Sequence, residues 1–78
     1  MSSRETLEFI VSFLVDNPDD FHVEEEESGR TIIYDLFVHP DDTGKVIGRG
    51  GRIARALRTV VKAAAVAEDR NAIVEIVD

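Results

Sequence analysis

The stretch GKVIGRGGRIARALRTVVK, from Gly44 to Lys62, contains six of the nine basic residues of a 78-residue chain whose formal net charge is −7. It also contains three glycines within four positions, Gly48, Gly50 and Gly51, between two segments of helical pattern. Glycine lets backbone amides approach a ligand closely, and the start of the following helix adds free N–H groups and the positive end of the helix dipole. The stretch is therefore a candidate phosphate site. For the glycines alone, however, a turn between two helices that only requires positive φ angles is the favoured interpretation.

Two other phosphate-binding loops fit this stretch less well. A P-loop requires G-x-x-x-x-G-K-[ST], and the chain contains no Gly-Lys-Ser or Gly-Lys-Thr. A dinucleotide-binding loop that began at Gly48 would have Ile53 where a glycine or alanine is needed. The sequence therefore favours a glycine turn between two helices.

Charge is unevenly distributed along the chain. Residues 1–42 carry a formal charge of −10, residues 43–67 carry +6 and residues 68–78 carry −3. A local field of one sign acts within a Debye length of about 8 to 10 Å even on an acidic protein. The distribution predicts one focused anion site and not a broad basic surface. The acidic run Glu24–Glu27 is interpreted as a solvated edge strand whose charges discourage aggregation.

Length and composition indicate a single small domain that spans residues 1–78. The chain has no cysteine, which excludes disulfides and thiolate metal sites. Its first apolar stretch is interrupted by Glu8 and Ser12 and lacks the cleavage pattern of a secretion signal. No segment approaches the ~20 apolar residues of a membrane span. We therefore expect a soluble cytoplasmic protein.

The first half of the chain predicts a helix and a β-hairpin. Ser2 and Glu5 fit a capping box, and apolar residues then recur at helical spacing until Asn17-Pro18. Two segments with alternating β-branched or aromatic residues flank Ser28-Gly29, which is typical of a hairpin. The even-numbered residues of Thr31–Val38 are expected to face the core.

The second half predicts two helices and a final strand. HPDDTG indicates a turn into a short helix with Asp41 or Asp42 at its N-cap. A longer helix is predicted over about Arg52–Ala67, and NAIVEIVD is predicted to be the last strand. One stripe of the long helix is expected to pack and the roughly opposite stripe to present charge. The packing stripe holds Ile53, Leu57, Val60 and Ala64, and the other holds Arg52, Arg55, Thr59 and Lys62.

The predicted order α-β-β-α-α-β defines an α+β fold, and the residues VIGRGGRIARALR resemble the I-G-x-x-G signature of the KH domain. The order resembles the type II arrangement, and the likeness to small stand-alone bacterial KH proteins of the KhpA type covers nearly the whole chain. It implies a three-stranded mixed sheet with all three helices on one face. Because two helices connect them, the last strand is expected to run parallel to Thr31–Val38.

The resemblance also implies a clamp for about four nucleotides of single-stranded RNA between the loop, its flanking helices and a sheet edge. Gly48 and Gly51 match the fixed glycines, which let the backbone lie against phosphates. Arg49 and Gly50 match the two variable positions, and Gly50 departs from the polar residue more often found there. The other expected RNA-binding residues are Lys45, Arg52 and Arg55, which would contact phosphates, and Ile47 and Ile53, which would help form an apolar groove for bases.

Partners follow from the same resemblance. It implies an RNA chaperone or post-transcriptional regulator that forms a weak homodimer or pairs with a larger RNA-binding protein that carries a KH domain. The pairing surface stays open between the long helix near Ile53 and the sheet face at Phe37. The alternative function is a protein-interaction subunit in which assembly is the main role, but the intact I-G-x-x-G favours RNA binding.

No enzymatic chemistry is expected. His22 and His39 lie at opposite ends of the hairpin pattern beside acidic residues, which is typical of surface histidines. No nucleophile–base pair and no second metal ligand at useful spacing accompany them. The sequence therefore predicts a non-enzymatic protein without catalytic residues, bound metal or cofactor.

Overall fold

A computed structural model describes residues 1–77. The elements follow the predicted order, and the long helix begins and ends where the sequence predicts. They are α1 (Ser3–Leu14), β1 (His22–Ser28), β2 (Thr31–Phe37), α2 (Thr43–Ile47), α3 (Arg52–Ala67) and β3 (Asn71–Val77), with 3-10 turns at Pro18–Asp20, Pro40–Asp42 and Arg49–Gly51.

The three strands form one mixed sheet in the order β1-β2-β3. β1 and β2 pair antiparallel, whereas β2 and β3 pair parallel because α2 and α3 form the crossover between them. Buried side chains of the sheet all lie on the face that the helices cover, so the predicted mixed sheet with helices on one face is confirmed. They are Val23, Ile32, Tyr34, Leu36, Ala72 and Val74.

The core lies between this sheet face and the helices. Leu7 and Val11 of α1, Val46 of α2 and Val61 of α3 are fully buried against it. The one buried hydroxyl of the sheet, on Tyr34, lies 2.6 Å from Ser3 Oγ, so its polar group is satisfied. The predicted capping box is present, because Glu5 N donates to Ser2 Oγ and Ser2 N donates to Glu5 Oε1.

The first helix ends at Leu14, earlier than the Asn17-Pro18 boundary that the sequence predicts. The carboxylate of Asp42 accepts hydrogen bonds from Asp16 N and Asn17 N at 3.1 and 3.0 Å, which holds these residues in an extended turn. Asp42 occupies the N-cap of α2 as predicted, but its side chain does not cap that helix. It instead ties the start of α2 to the end of α1.

The buried stripe of α3 differs from the predicted one. Leu57 is buried as expected, but the other core residues of α3 are Ala54, Val61 and Ala65. Val60 remains 45% exposed, and Ile53 is half-buried. The predicted stripe therefore lies at the edge of the packed face, where it borders a groove.

Candidate nucleic-acid interface

The Gly48–Gly51 turn connects α2 to α3 through three glycines with positive φ. Their φ angles are +75° at Gly48, +65° at Gly50 and +76° at Gly51. L-residues with side chains adopt this region at a cost of about 1 to 2 kcal/mol each, whereas glycine adopts it freely. The three glycines therefore produce a sharp turn that presents Arg49 and Gly50 to solvent.

Gly48 also permits a close contact with the helix that follows. A Cβ atom on Gly48 would lie 2.6 Å from Ile53 Cγ1 and 2.9 Å from Ile53 N. At Gly50, by contrast, no heavy atom lies within 4 Å of the same position. At residue 48, both the packing of Ile53 and the positive φ angle favour glycine. At residue 50, only the positive φ angle favours it.

Three hydrogen bonds hold the turn. Gly51 N donates to Gly48 O at 3.1 Å, Arg52 N donates to Arg49 O, and Arg55 Nη1 donates to Gly50 O at 2.9 Å. The Arg55 guanidinium therefore bends back from the first turns of α3 over the glycines, where Nη1 also lies 3.4 Å from a Cβ position on Gly51.

The basic residues around the turn have different surroundings. Within residues 1–77, no ion pair involves Arg49, Arg52 or Lys62, and all three are exposed. Their charges are available to a ligand at the start and along one side of α3. The positive end of the α3 dipole adds to this field.

Lys45 is committed to other partners. Its Nζ lies 2.9 Å from Asp16 Oδ2 and 3.7 Å from Asp42 Oδ1, and the hydrogen bond with Asp16 raises the pKa of Lys45. Burial acts to raise the pKa of Asp42, but the hydrogen bonds from Asp16 and Asn17, together with Lys45, outweigh it, so that pKa lies below its ordinary value. These contacts fix α2, and hence the start of the glycine turn, against α1.

Arg58 is a basic residue of α3 that the sequence analysis did not assign. Its Nε donates to Val74 O at 3.0 Å and so links α3 to the outer edge of β3. The available signal was its helical position, four residues after the buried Ala54 and three before the buried Val61. Such a position lies beside the packed face, where a long side chain can reach a neighbouring strand.

An apolar groove runs between α1 and α3 and reaches the turn. It encloses about 310 Å³, and its lining comes from both helices. Beside it on α1, Phe9 and Phe13 are 54% and 76% exposed, with ring centroids 5.0 Å apart. The lining residues are Ile10, Leu14, Arg52, Ile53, Ala56, Leu57 and Val60. Ile53 thus lies in the groove, whereas Ile47 packs half-buried against the core.

A family model described as KhpA/KhpB, KH domain, matches residues 4–76. The chain belongs to the KhpA/KhpB family of KH domains. It is 53% identical over 74 residues to the RNA-binding protein KhpA of Clostridium perfringens. The aligned region covers 95% of this chain and 99% of the relative. The protein of the same name from Halalkalibacterium halodurans is 50% identical over 72 residues, 92% of this chain and 95% of the relative. No solved structure gives a significant match.

Membership in this family confirms the resemblance drawn from VIGRGGRIARALR, and it confirms that the protein is not an enzyme, since the relatives are named RNA-binding proteins. The resemblance matched the KH loop to Gly48–Gly51, and the structure has a glycine turn at these positions. The structure brings Arg49, Arg52 and Arg55 together around this turn, and it places Lys45 in the ion pairs of the α1–α2 junction. The RNA contacts of these residues stay predictions.

The sheet face away from the helices forms a second exposed surface. Glu24, Asp35 and Glu75 lie directly opposite one another across the three strands. The next row holds His22 and Phe37, whose rings stack with centroids 4.6 Å apart. Phe37 is therefore half-buried on this face. The face combines apolar residues with a central row of carboxylates.

Both histidines have local partners. His22 Nε2 lies 3.1 Å from Glu24 Oε2, and His39 Nδ1 accepts a hydrogen bond from Asp41 N at 3.0 Å in the turn before α2. Within residues 1–77, no group of three potential metal ligands is present. Over the same residues, none of the helices has both the length and the apolar character that crossing a membrane requires.

Proposed function

We propose that this chain binds single-stranded RNA, with the backbone of the Gly48–Gly51 turn lying against phosphates. The observation that carries the proposal is the exposed turn of three positive-φ glycines at the N-terminus of α3, flanked by the unpaired charges of Arg49 and Arg52. The names of the relatives support the same ligand. The proposal treats residues 1–78 as one type II KH domain that holds about four nucleotides.

Each part of the turn has a distinct role in the proposed clamp. Gly50 offers open space, so a phosphate can approach its backbone without meeting a side chain. Arg49 and Arg52 supply charge-assisted hydrogen bonds, which are stronger than neutral ones. Ile53 presents apolar surface to a base beside Arg52, and Ile47 supports the turn from the core side. The number of phosphates neutralised is small, about two to four.

The contribution of Lys45 is smaller than its position in the sequence predicts. Two carboxylates lie within 4 Å of its ammonium group and offset its charge. Lys45 serves the clamp mainly by keeping α2 fixed to α1. The acidic surface elsewhere on the chain repels the RNA backbone and so restricts the orientations in which RNA docks.

The protein acts as an RNA chaperone or post-transcriptional regulator in the cytoplasm. One KH domain binds RNA weakly, and pairing of two KH domains raises the affinity. Linked sites raise the effective concentration of the second site, so a dimer binds a longer RNA more tightly than one domain does. The partner is a second copy or a larger RNA-binding protein with a KH domain.

The α1–α3 groove is the better pairing surface of the two that the sequence left open. Its lining is almost entirely apolar, and Phe9, Phe13 and Val60 expose further apolar area around it. Self-pairing through the open sheet face would instead bring two rows of Glu24, Asp35 and Glu75 together, and like charges in contact are destabilising. Because Arg52 and Ile53 line the groove, dimerisation and RNA binding are coupled.

Crosslinking in cells, followed by sequencing of bound RNA, tests the proposed function. The loop variant Arg49→Gln with Arg52→Gln is expected to lose crosslinked RNA while it remains folded, because both side chains are exposed. Recovery of the same RNA with this variant would contradict the clamp. It would favour the alternative, a protein-interaction subunit, for which the exposed Phe9 and Phe13 are the supporting observation.

A further inference from the structure

The peptide group between Gly50 and Gly51 is anchored at both ends. Its carbonyl oxygen, on Gly50, accepts the hydrogen bond from Arg55 Nη1 at 2.9 Å. Its N–H group, on Gly51, donates to Gly48 O at 3.1 Å. Because a peptide group is planar, the two bonds together fix the orientation of the whole group at the tip of the turn.

Arg55 provides the only side-chain hydrogen bond to this turn among residues 1–77. Gly50 needs such support because the residue is exposed and no heavy atom beyond its own chain neighbours lies within 4 Å of a Cβ position on it. Glycine also loses more conformational freedom on ordering than any other residue, and here two glycines follow each other. Without Arg55, the Gly50–Gly51 segment would keep only backbone hydrogen bonds, from Gly51 N to Gly48 O and from Arg52 N to Arg49 O.

We propose that Arg55 is a positioning residue, which holds the Gly48–Gly51 turn in its binding conformation before a ligand arrives. This inference rests on the proposed function and assigns Arg55 a role other than that of a phosphate contact. When a binding-competent conformation is only partly populated, the apparent dissociation constant rises in inverse proportion to that population. Arg55 therefore raises RNA affinity by raising the population of the ordered turn.

If Arg55 is a positioning residue, lysine cannot replace arginine at this position. Lysine retains the positive charge but ends short of the guanidinium Nη atoms. Arg55→Lys therefore preserves any effect that depends on charge alone and loses the bond to Gly50 O. Arg55→Met keeps much of the apolar stem but removes both the bond to Gly50 O and the positive charge. Lys62→Met is the matched control, since Lys62 is an exposed positive charge on α3 that makes no hydrogen bond to the turn.

The first test uses the free protein and ¹⁵N relaxation of the Gly50 and Gly51 amides. In wild type and in Lys62→Met, order parameters near the rigid value of about 0.85 are expected at both glycines. In Arg55→Lys and Arg55→Met they are expected to fall toward the flexible range below about 0.6. Unchanged order parameters in both Arg55 variants would overturn the proposal, whether or not the protein binds RNA.

The second test measures the affinity for a fluorescent oligouridine at several salt concentrations. Arg55→Lys is expected to weaken binding about fivefold to tenfold with an unchanged dependence on salt, because no phosphate contact is lost. If Arg55→Lys binds as wild type, Arg55 acts through its charge and the positioning role is wrong. Failure of the proposed function has a different signature, because the Arg49 and Arg52 variants would then leave RNA binding unchanged while the relaxation result still stands.

Discussion

Ile53 packs so closely on Gly48 that a Cβ atom at residue 48 would lie 2.6 Å from Ile53 Cγ1 and 2.9 Å from the backbone nitrogen of Ile53. The backbone nitrogen cannot rotate away as the end of a side chain can. The contact therefore fixes the distance between the end of α2 and the start of α3, and it links the shape of the glycine turn to the groove that Ile53 lines.

This contact predicts different costs for alanine at two glycines of the same turn. Gly50→Ala places a methyl group in open space at a φ of +65° and is expected to lower the free energy of unfolding by about 1 kcal/mol. Gly48→Ala adds a backbone clash at a φ of +75° and is expected to cost at least about 2 kcal/mol. Urea unfolding of both variants measures the difference. Equal losses would show that the Ile53 contact relaxes freely.

Asp42 predicts a pH dependence of stability. Its pKa is lower in the folded protein than the ordinary 3.8, so the ionised form binds its partners better and stabilises the fold above that pH. The stabilisation is lost as the pH falls through the lowered pKa. Asp42→Asn is expected to reduce the melting temperature by roughly 10 °C at pH 7, because three partly buried N–H donors lose their carboxylate acceptor.

The difference in melting temperature between wild type and Asp42→Asn is expected to shrink as the pH is lowered from 5 to 2. Thermal unfolding followed by circular dichroism at each pH measures it. Asp19→Asn, which removes an exposed carboxylate, is the charge-matched control. It is expected to leave the melting temperature almost unchanged throughout this pH range. A difference that stays constant across this range would contradict the assignment of the ionised form to Asp42.

Dimerisation is predicted to depend on the α1–α3 groove. Val60 in the groove is 45% exposed and Ile73 on the open sheet face is 43% exposed, so the two residues form a matched pair. Val60→Glu is expected to dissociate a weak homodimer by placing a carboxylate in the apolar groove, whereas Ile73→Glu leaves it intact. Sedimentation velocity at high micromolar concentration distinguishes them. A monomeric wild type, or dissociation by Ile73→Glu alone, would be evidence against this surface.

Much of the fold could be predicted from the sequence because local signals agree with one another. The capping box at Ser2, the turn residues Ser28-Gly29 and the glycines before Arg52 mark element ends that the structure confirms. The parallel pairing of β3 follows from the two-helix crossover. These features depend on residues that are close in sequence or on general rules of chain connection.

Other features depend on contacts that no local pattern reveals. Asp42 satisfies donors 25 and 26 residues away, so a correct N-cap assignment still missed its function. Val60 and Val61 are chemically identical, but Val61 is buried in the core that the helices and the sheet share, whereas Val60 lines the groove. The Arg55 contact depends on the φ and ψ angles of Gly50, which the sequence left open.

The positive φ at Gly50 also determines which variants test the RNA site cleanly. Any side chain at Gly50 strains the backbone, so a substitution there would mix a loss of stability with a loss of charge. Arg49→Gln with Arg52→Gln removes two charges and leaves the glycines in place. Arg30→Gln with Arg70→Gln removes two charges far from the turn, since Arg70 lies beyond the opposite end of the 16-residue α3, roughly 24 Å away.

The most direct measurement is the affinity of wild type and these two double variants for a fluorescent oligouridine at two salt concentrations. We expect wild-type affinity to fall with salt with a logarithmic slope of about −1.5 to −3, as two to four phosphate contacts predict. The Arg49/Arg52 variant is expected to bind roughly tenfold or more weakly with a shallower slope, and the Arg30/Arg70 variant to bind as wild type. If the Arg49/Arg52 variant binds RNA as tightly as wild type with the same slope, the glycine turn is not the phosphate site.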